Sequence, residues 1–377
     1  MENNKTILFI PPVHWNYYPY RDQELPASMA QRGYHCIYLN PVTYRGSEKS
    51  MRFREVNRRK DLQNIRIIDR KSSWRKSPLE FIKEIFLNIR AVKKFRPDAV
   101  ISSDHLMSIG ACIYCRRRNI RFIFDVTDNW ELVDRSMAGK IYKFVLKPLL
   151  ARYSHAITCT SLRQYNYFKK LRKSRTFLIS NGINPRLMEE LGHDQPEKDK
   201  GEQTPGSEVN FIGSLRDWYD FDLLFEVFRE FPDIDLNIYG LGPLHAELLE
   251  RSGSIPNVHV HGNIEPSQTA VLLHRSLVGL LPLKINELNH STCPIKLFDY
   301  WGASRAVIST PVEEVSRLGE EALLYASSKE EFVHCINRLV SDRELAQRLG
   351  MEGKKKVDST HNYNIITDQF LQILNTP

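Results

Sequence analysis

The stretch STCPIKLFDYWG, Ser291 to Gly302, sets a lysine and an aspartate three residues apart, just after a proline, in an otherwise apolar run. Lys296 and Asp299 stand at i and i+3, so on a helix they share one face. Pro294 fits the first position of that helix. Upstream, VGLLPL reads as a strand ending near Leu283, and KINELNHSTC as the loop that joins strand to helix. Free backbone N–H groups and the dipole at a helix start favour an anion, and Lys296 adds a cation to the first turn. An anion near Lys296 and a hydroxyl-bearing group near Asp299 match a sugar nucleotide, pyrophosphate first and ribose next. The same spacing suits an ordinary surface lysine–aspartate pair, and the local sequence leaves both readings open.

Working outward, short apolar runs alternate with helical periods along the whole chain. KTILFI, HCIYLNP, IRIID, DAVISSD, RFIFDVTD, HAITCTS and TFLISNG read as strands, and PLEFIKEIFLNIRAVKKF as a helix between two of them. After the polar, Gly- and Pro-rich segment Gly192–Glu208 a second series begins with EVNFIGS, DLNIYG, NVHVHG, VGLLPL and AVIST as strands. Such alternation indicates parallel sheets covered on both faces. The expected fold class is α/β, two doubly wound domains joined by a loop, with ligands at the C-terminal strand ends. The expected division is 1–190 for the N-terminal domain, 191–207 for the connection and 208–355 for the C-terminal domain. Residues 356–377 form a last helix that returns to the first domain.

A chain of 377 residues exceeds one comfortable core, which agrees with two domains. No segment approaches the roughly 20 apolar residues of a membrane helix. MENNKTILFIPP holds a five-residue apolar run closed by two prolines, a buried strand rather than a signal peptide. The expected location is therefore the cytoplasm. Six cysteines show no disulfide framework, and the CxxC of Cys112 and Cys115 reads as two helical positions one turn apart. Residues 1–200 carry 38 Lys and Arg against 20 Asp and Glu, while the remainder carries 15 against 25. A basic half and an acidic half suggest domains with different partners. The densest basic region, Arg52 to Lys94, is a solvated face or a site for an anionic membrane surface. It lacks the interleaved aromatic platform of a nucleic-acid binder.

PIKLFDYWGASRAVIST closely resembles the donor-binding region of GT-B glycosyltransferases, and of glycosyltransferase family 4 in particular. There a proline, a lysine and a glutamate open a short Tyr-rich helix that runs into a strand. FIGSLRDWYDFDLLFEVFREFPDIDLNIYGLGP is similar to the first β-α-β unit of the same domain, and ISNGINPRL to the turn that ends the N-terminal domain. DVTDNW and GSLRDWYD look most like the bacterial cell-surface polysaccharide and teichuronic-acid-type members. The resemblance implies a GT-B architecture of two Rossmann-like domains and a nucleotide-sugar donor held at Gly213, Arg216, Gly240, Ser291, Pro294, Lys296 and Asp299. This chain departs from the family in three places. The family's two glutamates, eight positions apart, correspond to Ser291 and Asp299, and Glu287, one turn upstream of the serine, is the donor-binding candidate that would substitute for the first. The family's diphosphate-binding lysine after the first strand has no match, although Arg216 matches the arginine. The family's histidine in the first domain corresponds to Thr127.

In the N-terminal half, DVTDNWELVD follows an apolar strand, so Asp125 and Asp128 fall at the crevice, as acceptor-orienting acids, as a base, or as caps of the next helix. Asp104 and His105, after another strand, are candidates for the same wall. The catalytic candidates are thus Asp125, Asp128 and His105. The expected activity is that of a retaining, metal-independent glycosyltransferase with a glycan or lipid-linked acceptor. No cofactor is expected beyond the UDP- or GDP-sugar substrate, and the basic half would meet the inner membrane face. The alternatives are a sugar-nucleotide epimerase on the same scaffold and a non-catalytic nucleotide-sugar-binding protein.

Overall fold

The computed structural model of the chain describes residues 5–16, 20–41, 63–70, 78–129, 132, 136–193 and 208–376. Much of the basic stretch Arg52–Lys94 and most of the polar segment after Gly192 lie outside these residues. The chain divides into two compact units, one of Met1–Ser180 with Tyr363–Pro377 and one of Asn181–Asn362.

The first unit is built on β1 (Thr6–Ile10), α1 (Arg21–Gln31), β2 (His35–Leu39), β3 (Ile65–Ile68), α2 (Pro78–Phe95), β4 (Ala99–Ser102), α3 (Ile109–Arg117) and β5 (Arg121–Val126). A long helical segment α4 follows: Met137–Ile141, a π-helical turn Tyr142–Leu146, and Lys147–Tyr153. Then come β6 (Ala156–Cys159), α5 (Leu162–Leu171) and β7 (Thr176–Leu178). The seven strands form one parallel sheet in the order β3-β2-β1-β4-β5-β6-β7. The chain starts in the middle, winds outward on one side, then returns to wind outward on the other. The reversal lies between β1 and β4, and their C-terminal ends flank the crevice where such sheets bind ligands.

Strand residues alternate between two cores, as the pleat requires. Leu8 and Ile10 face a core closed by α2, α3, α4 and α5, whereas Ile7 and Phe9 face one closed by α1. Cys112 and Cys115 are buried on the inner side of α3, and burial pushes both thiols up to about 12.

The second unit starts with α6 (Pro185–His193), β8 (Glu208–Ile212), α7 (Phe221–Phe228), β9 (Asp235–Tyr239), α8 (His245–Ser252), β10 (Val258–Val260) and α9 (Pro266–Arg275). It continues through β11 (Gly279–Leu281), α10 (Glu287–His290), α11 (Ile295–Gly302), β12 (Val307–Ser309), α12 (Glu313–Gly319) and β13 (Leu324–Tyr325). α13 (Lys329–Ser341) and α14 (Arg343–Ser359) complete it. Parallel strands pair as β10-β9-β8 and β11-β12-β13. The Leu277 amide donates to the Glu208 carbonyl at 2.8 Å and ties β11 to the side of β8. The reversal of winding here lies between β8 and β11.

The last helix returns to the first unit as expected, but two boundaries differ from the sequence reading, falling after Ser180 rather than 190 and after Asn362 rather than 355. Residues 181–193 belong to the second unit, because Ile183, Leu187 and Leu191 are buried in its core. Gly302 of α11 has no Cβ, and one there would collide with Ile183. The last helix of the chain, α15 (Tyr363–Asn375), is grouped with the first unit. It covers the β1 and β2 face with Tyr363, Ile366, Phe370, Ile373 and Leu374. Ser28 Oγ donates to the Tyr363 carbonyl at 3.3 Å, and Arg32 Nη2 to the Asn364 carbonyl at 2.7 Å. The unit is therefore completed by residues more than 180 positions beyond its own last strand. Phe370→Ala should destabilise the first unit by about 3–5 kcal/mol through the cavity left in this core. Denaturant unfolding with separate probes in the two units checks it: the second unit's transition should stay in place.

Candidate functional site

In the second unit, β8 runs out at Ile212 and the chain turns through Gly213, whose φ is +147°. Gly240 follows β9 with φ +135°. Both angles strain any residue with a Cβ. A Cβ at Gly240 would strike the Gly213 carbonyl, and one at Gly213 would strike Cε and Nζ of Lys296. The two glycines therefore bring the strand ends together and keep open the space that the lysine occupies.

α11 positions that lysine. Its buried face is Leu297, Phe298, Tyr300 and Trp301, and Tyr300 Oη donates to the Asn210 carbonyl of β8 at 3.0 Å. Gly279 of β11 makes room for the Tyr300 ring. At the entrance, Asn181 Nδ2 donates to the Cys293 carbonyl at 2.9 Å. The helix starts one residue later than the sequence suggests: Pro294 is the N-cap, with φ −74° and ψ 120°, and Ile295 is the first helical residue. Lys296 is then in the first turn. Its Nζ donates to Tyr219 Oη at 3.0 Å and lies 5.0 Å from the Phe211 ring centroid and 4.7 Å from that of Tyr219. The two rings meet edge to face at 5.0 Å. Among the described residues Lys296 forms no ion pair, so the simple lysine–aspartate surface pair is not what this spacing encodes. Asp299 is half-buried. Burial pushes its carboxyl up to about 7, against the downward pull of Lys296.

Arg216 follows Gly213 on the same turn. Its Nε donates to Ser214 Oγ at 3.3 Å and its guanidinium lies 5.3 Å from the Trp218 ring centroid. It too forms no ion pair among the described residues. The presumed loop before α11 contains a short helix, α10, capped by the Asn286 side chain. Glu287 is exposed in its first turn. Ser291 closes it: its hydroxyl donates to the carbonyls of Glu287 at 3.0 Å and Leu288 at 2.9 Å, and the residue is buried. Ser291 is therefore turned back onto its own helix rather than outward as a carboxylate substitute.

In the first unit the three acid–base candidates separate. Asp125, at the end of β5, is 2% exposed and receives Arg21 Nε at 2.8 Å, Arg21 Nη2 at 3.1 Å and Thr158 Oγ1 at 2.7 Å. Arg21 also donates to the Ser180 carbonyl at 3.1 Å and lies 5.2 Å from the Phe370 ring centroid. Bound bidentately to a buried guanidinium, the Asp125 carboxylate fixes α1 to the sheet. His105 follows β4. It is buried, 3.1 Å from Tyr142 Oη through Nδ1, with its ring against Phe124. Asp104 accepts the Leu106 and Met107 amides at 2.8 Å each and so caps its turn. Asp128 alone of the three catalytic candidates is exposed, in the loop after β5. Thr127, at the histidine position of the resembled family, accepts Thr160 Oγ1 through its carbonyl at 2.8 Å.

Residues 23–187 match the model of Glycosyltransferase Family 4, and residues 216–372 match a model described as glycosyl transferase-like. Together the two take in both units. The N-terminal half thus carries a family 4 domain and the C-terminal half a glycosyl transferase-like one, and the chain is a glycosyltransferase. TuaH of Bacillus subtilis, named for teichuronic acid biosynthesis, is 20% identical over 264 residues. That match covers 66% of each chain, just under two thirds of the relative's length. The fold is shared with sucrose-phosphate synthase from Thermosynechococcus elongatus, at a TM-score of 0.70 and 14% identity, over 98% of both chains. It is also shared with HepE of Anabaena, solved in complex with UDP and glucose, at a TM-score of 0.67 and 12% identity, over 100% of both chains. Both likenesses establish the GT-B class of two Rossmann-like domains.

Sequence reasoning missed the groups that hold the candidates in place. Tyr219 and Phe211 carry no motif, and their role depends on where α11 lies. Arg21 and Asp22 open α1, and Ser103 Oγ donates to Asp22. Burial and the charge of Asp125 push Asp22 up to about 7. In this glycosyltransferase Asp125→Ala leaves the Arg21 guanidinium buried without its main partner. The variant should lose about 3–5 kcal/mol of stability, read by denaturant unfolding of the first unit.

Asp22 and Asp299 both bind a proton more tightly in the folded enzyme than in the unfolded chain. Their stabilisation is complete below the unfolded value of about 3.9 and is lost as pH rises through about 7. Unfolding free energy followed from pH 4 to 8 should fall over that window. Asp22→Asn should flatten the fall in the first unit, and Asp299→Asn that in the second.

Proposed function

We propose that this chain is a retaining, metal-independent glycosyltransferase. It moves a sugar from a UDP- or GDP-sugar to a glycan or lipid-linked acceptor in cell-surface polysaccharide synthesis. The observation that carries the reading is the Lys296 ammonium at the start of α11, seated on Tyr219 and Phe211 without a carboxylate ion pair among the described residues. A lysine in that setting is poised for an external anion. As the glycosidic bond to the nucleotide breaks, negative charge grows on the diphosphate. Lys296, Arg216 and the N–H groups opening α11 stabilise that charge, the term that dominates leaving-group departure. With two protein cations and a helix start in this role, no metal ion is required. Asp299 accepts hydroxyl hydrogen bonds from the ribose or the sugar.

On the acceptor side, Asp128 remains the exposed candidate for orienting a hydroxyl or accepting its proton. The acceptor class is supported by the name of the TuaH relative and by the resemblance to teichuronic-acid-type members. The enzyme works in the cytoplasm at the inner face of the membrane, where the basic N-terminal half meets anionic lipid. Among the described residues no helix is long and apolar enough to cross a membrane.

A thermal-shift panel of UDP, GDP, ADP and CMP tests the donor reading. One nucleotide at about 100 times its dissociation constant should add roughly 2.7 kcal/mol of stability to the wild type, and Lys296→Ala should lose most of that gain. No shift with any of the four would overturn it. Transfer from the matching sugar nucleotide should persist in EDTA, and the product should keep the donor's anomeric configuration by NMR.

A further inference from the structure

The crevice of the first unit holds an acid that no sequence motif marks. Asp22 stands in the first turn of α1, beside the reversal of winding between β1 and β4. Its carboxyl takes a hydrogen bond from Ser103 Oγ, one residue past the end of β4. Among the described residues no hydrogen bond reaches its second oxygen. The residue is half-buried and keeps part of its surface open. Asp22 and Ser103 line a recess with Pro11, Arg21, Leu25 and Asp125. Its volume of about 10 Å³ is that needed by a single water or hydroxyl group.

Both walls of the recess are anchored. Arg21 is locked to Asp125 and to the Ser180 carbonyl, which fixes the first turn of α1. Opposite, Ser102 Oγ donates to the Ile10 carbonyl at 2.7 Å and Asp104 caps the next turn, so Ser103 sits between two fixed neighbours. Titratable and charged groups face Asp22 from several elements. Arg21 comes from its own helix, Asp125 from β5, Asp128 from the loop after β5, Tyr38 from β2 and Tyr363 from α15. Burial, with the charges of Asp125 and Asp128, raises the Asp22 carboxyl to about 7, against the downward pull of Ser103 and Arg21. Such an acid exchanges its proton at neutral pH, as a general base must.

We infer that Asp22 is the base that takes the proton of the acceptor's attacking hydroxyl, with Ser103 holding its carboxylate in position. This rests on the glycosyltransferase reading and divides its acceptor side, leaving the orienting role to the exposed Asp128. As the acceptor proton passes to Asp22, the acceptor oxygen bonds the anomeric carbon of the sugar. The bond from that carbon to the phosphate oxygen breaks, and its electron pair leaves on the diphosphate. The proton on Asp22 is then released to water. The proton transfer is the same whichever face of the sugar is attacked. Asp125 is closed to this role, because Arg21 and Thr158 already occupy its carboxylate.

Release of nucleoside diphosphate, followed from about pH 5 to about 9, tests it. The donors are a panel of UDP- and GDP-linked hexoses, N-acetylhexosamines and uronic acids. Octyl glycosides are the acceptor probes, and water is the acceptor in their absence. The proteins are wild type, Asp22→Asn and Ser103→Ala. Wild-type turnover should fall below about pH 7, where Asp22 becomes protonated. Asp22→Asn should lower turnover about 10²–10⁴-fold at neutral pH and abolish that limb, with the donor KM unchanged. Ser103→Ala removes a hydrogen bond that favours the carboxylate, so the limb should move to higher pH. Equal thermal stabilisation of all three proteins by the donor nucleotide should show that each is folded. An active wild type whose Asp22→Asn variant keeps its turnover or its acid limb would overturn the inference and leave the transferase reading standing. So would a limb that Ser103→Ala does not move. A wild type that binds a nucleotide and turns over no donor would overturn the transferase reading, and this inference with it.

Discussion

The second unit is organised around one lysine. Lys296 needs three things at once: a helix that starts where its side chain can reach the crevice, aromatic faces to lie against, and a neighbouring residue with no Cβ. α11 supplies the first, through a buried face anchored by Tyr300 to β8. Phe211 and Tyr219 supply the second, and Gly213 the third. Cation–π contacts and one hydrogen bond to a neutral hydroxyl hold an ammonium in place without neutralising it. A carboxylate partner would have held it as firmly and left nothing for a diphosphate. That difference turns a structural lysine into a candidate anion-binding one.

The first unit solves the same topological problem in the opposite way. Its winding reverses between β1 and β4, and a short way along the sheet Arg21 and Asp125 satisfy each other within the protein. A buried pair of this kind adds little to net stability but is costly to break, so it fixes where α1 sits. Asp22, next in sequence, is carried with it and becomes an acid that titrates near 7 beside Ser103.

Element types were legible because period and burial agree. Largely apolar runs such as TILFI, AVIS and FIFDV are strands buried on both faces, and the 78–95 helix has its sequence limits. Ends were less legible. Pro294 suits either the cap or the first helical position, and the backbone angle that separates them is set by how Cys293 is held. α10 was missed because four residues carry no period. The unit boundary was displaced because Ile183, Leu187 and Leu191 mark a buried helix face without saying whose core receives it.

Chemistry followed the same division. The order of residues alone determined that a proline, a lysine and an acid open a helix after a strand, that glycines end two neighbouring strands, and that the chain is basic in one half and acidic in the other. These are properties of neighbours in sequence, where spacing translates directly into a shared face. Only the tertiary structure decided which acids are already spoken for. Asp125 and Asp128 are equivalent in sequence, three residues apart after one strand. One meets Arg21 from a helix about a hundred positions earlier, and the other stays exposed. Ser291 and His105 were separated from the open site in the same manner, by a helix turn and by a tyrosine. Whether a polar group serves the fold or a ligand depends on partners that distance in sequence does not reveal, because burial and pairing are set by contacts between remote segments.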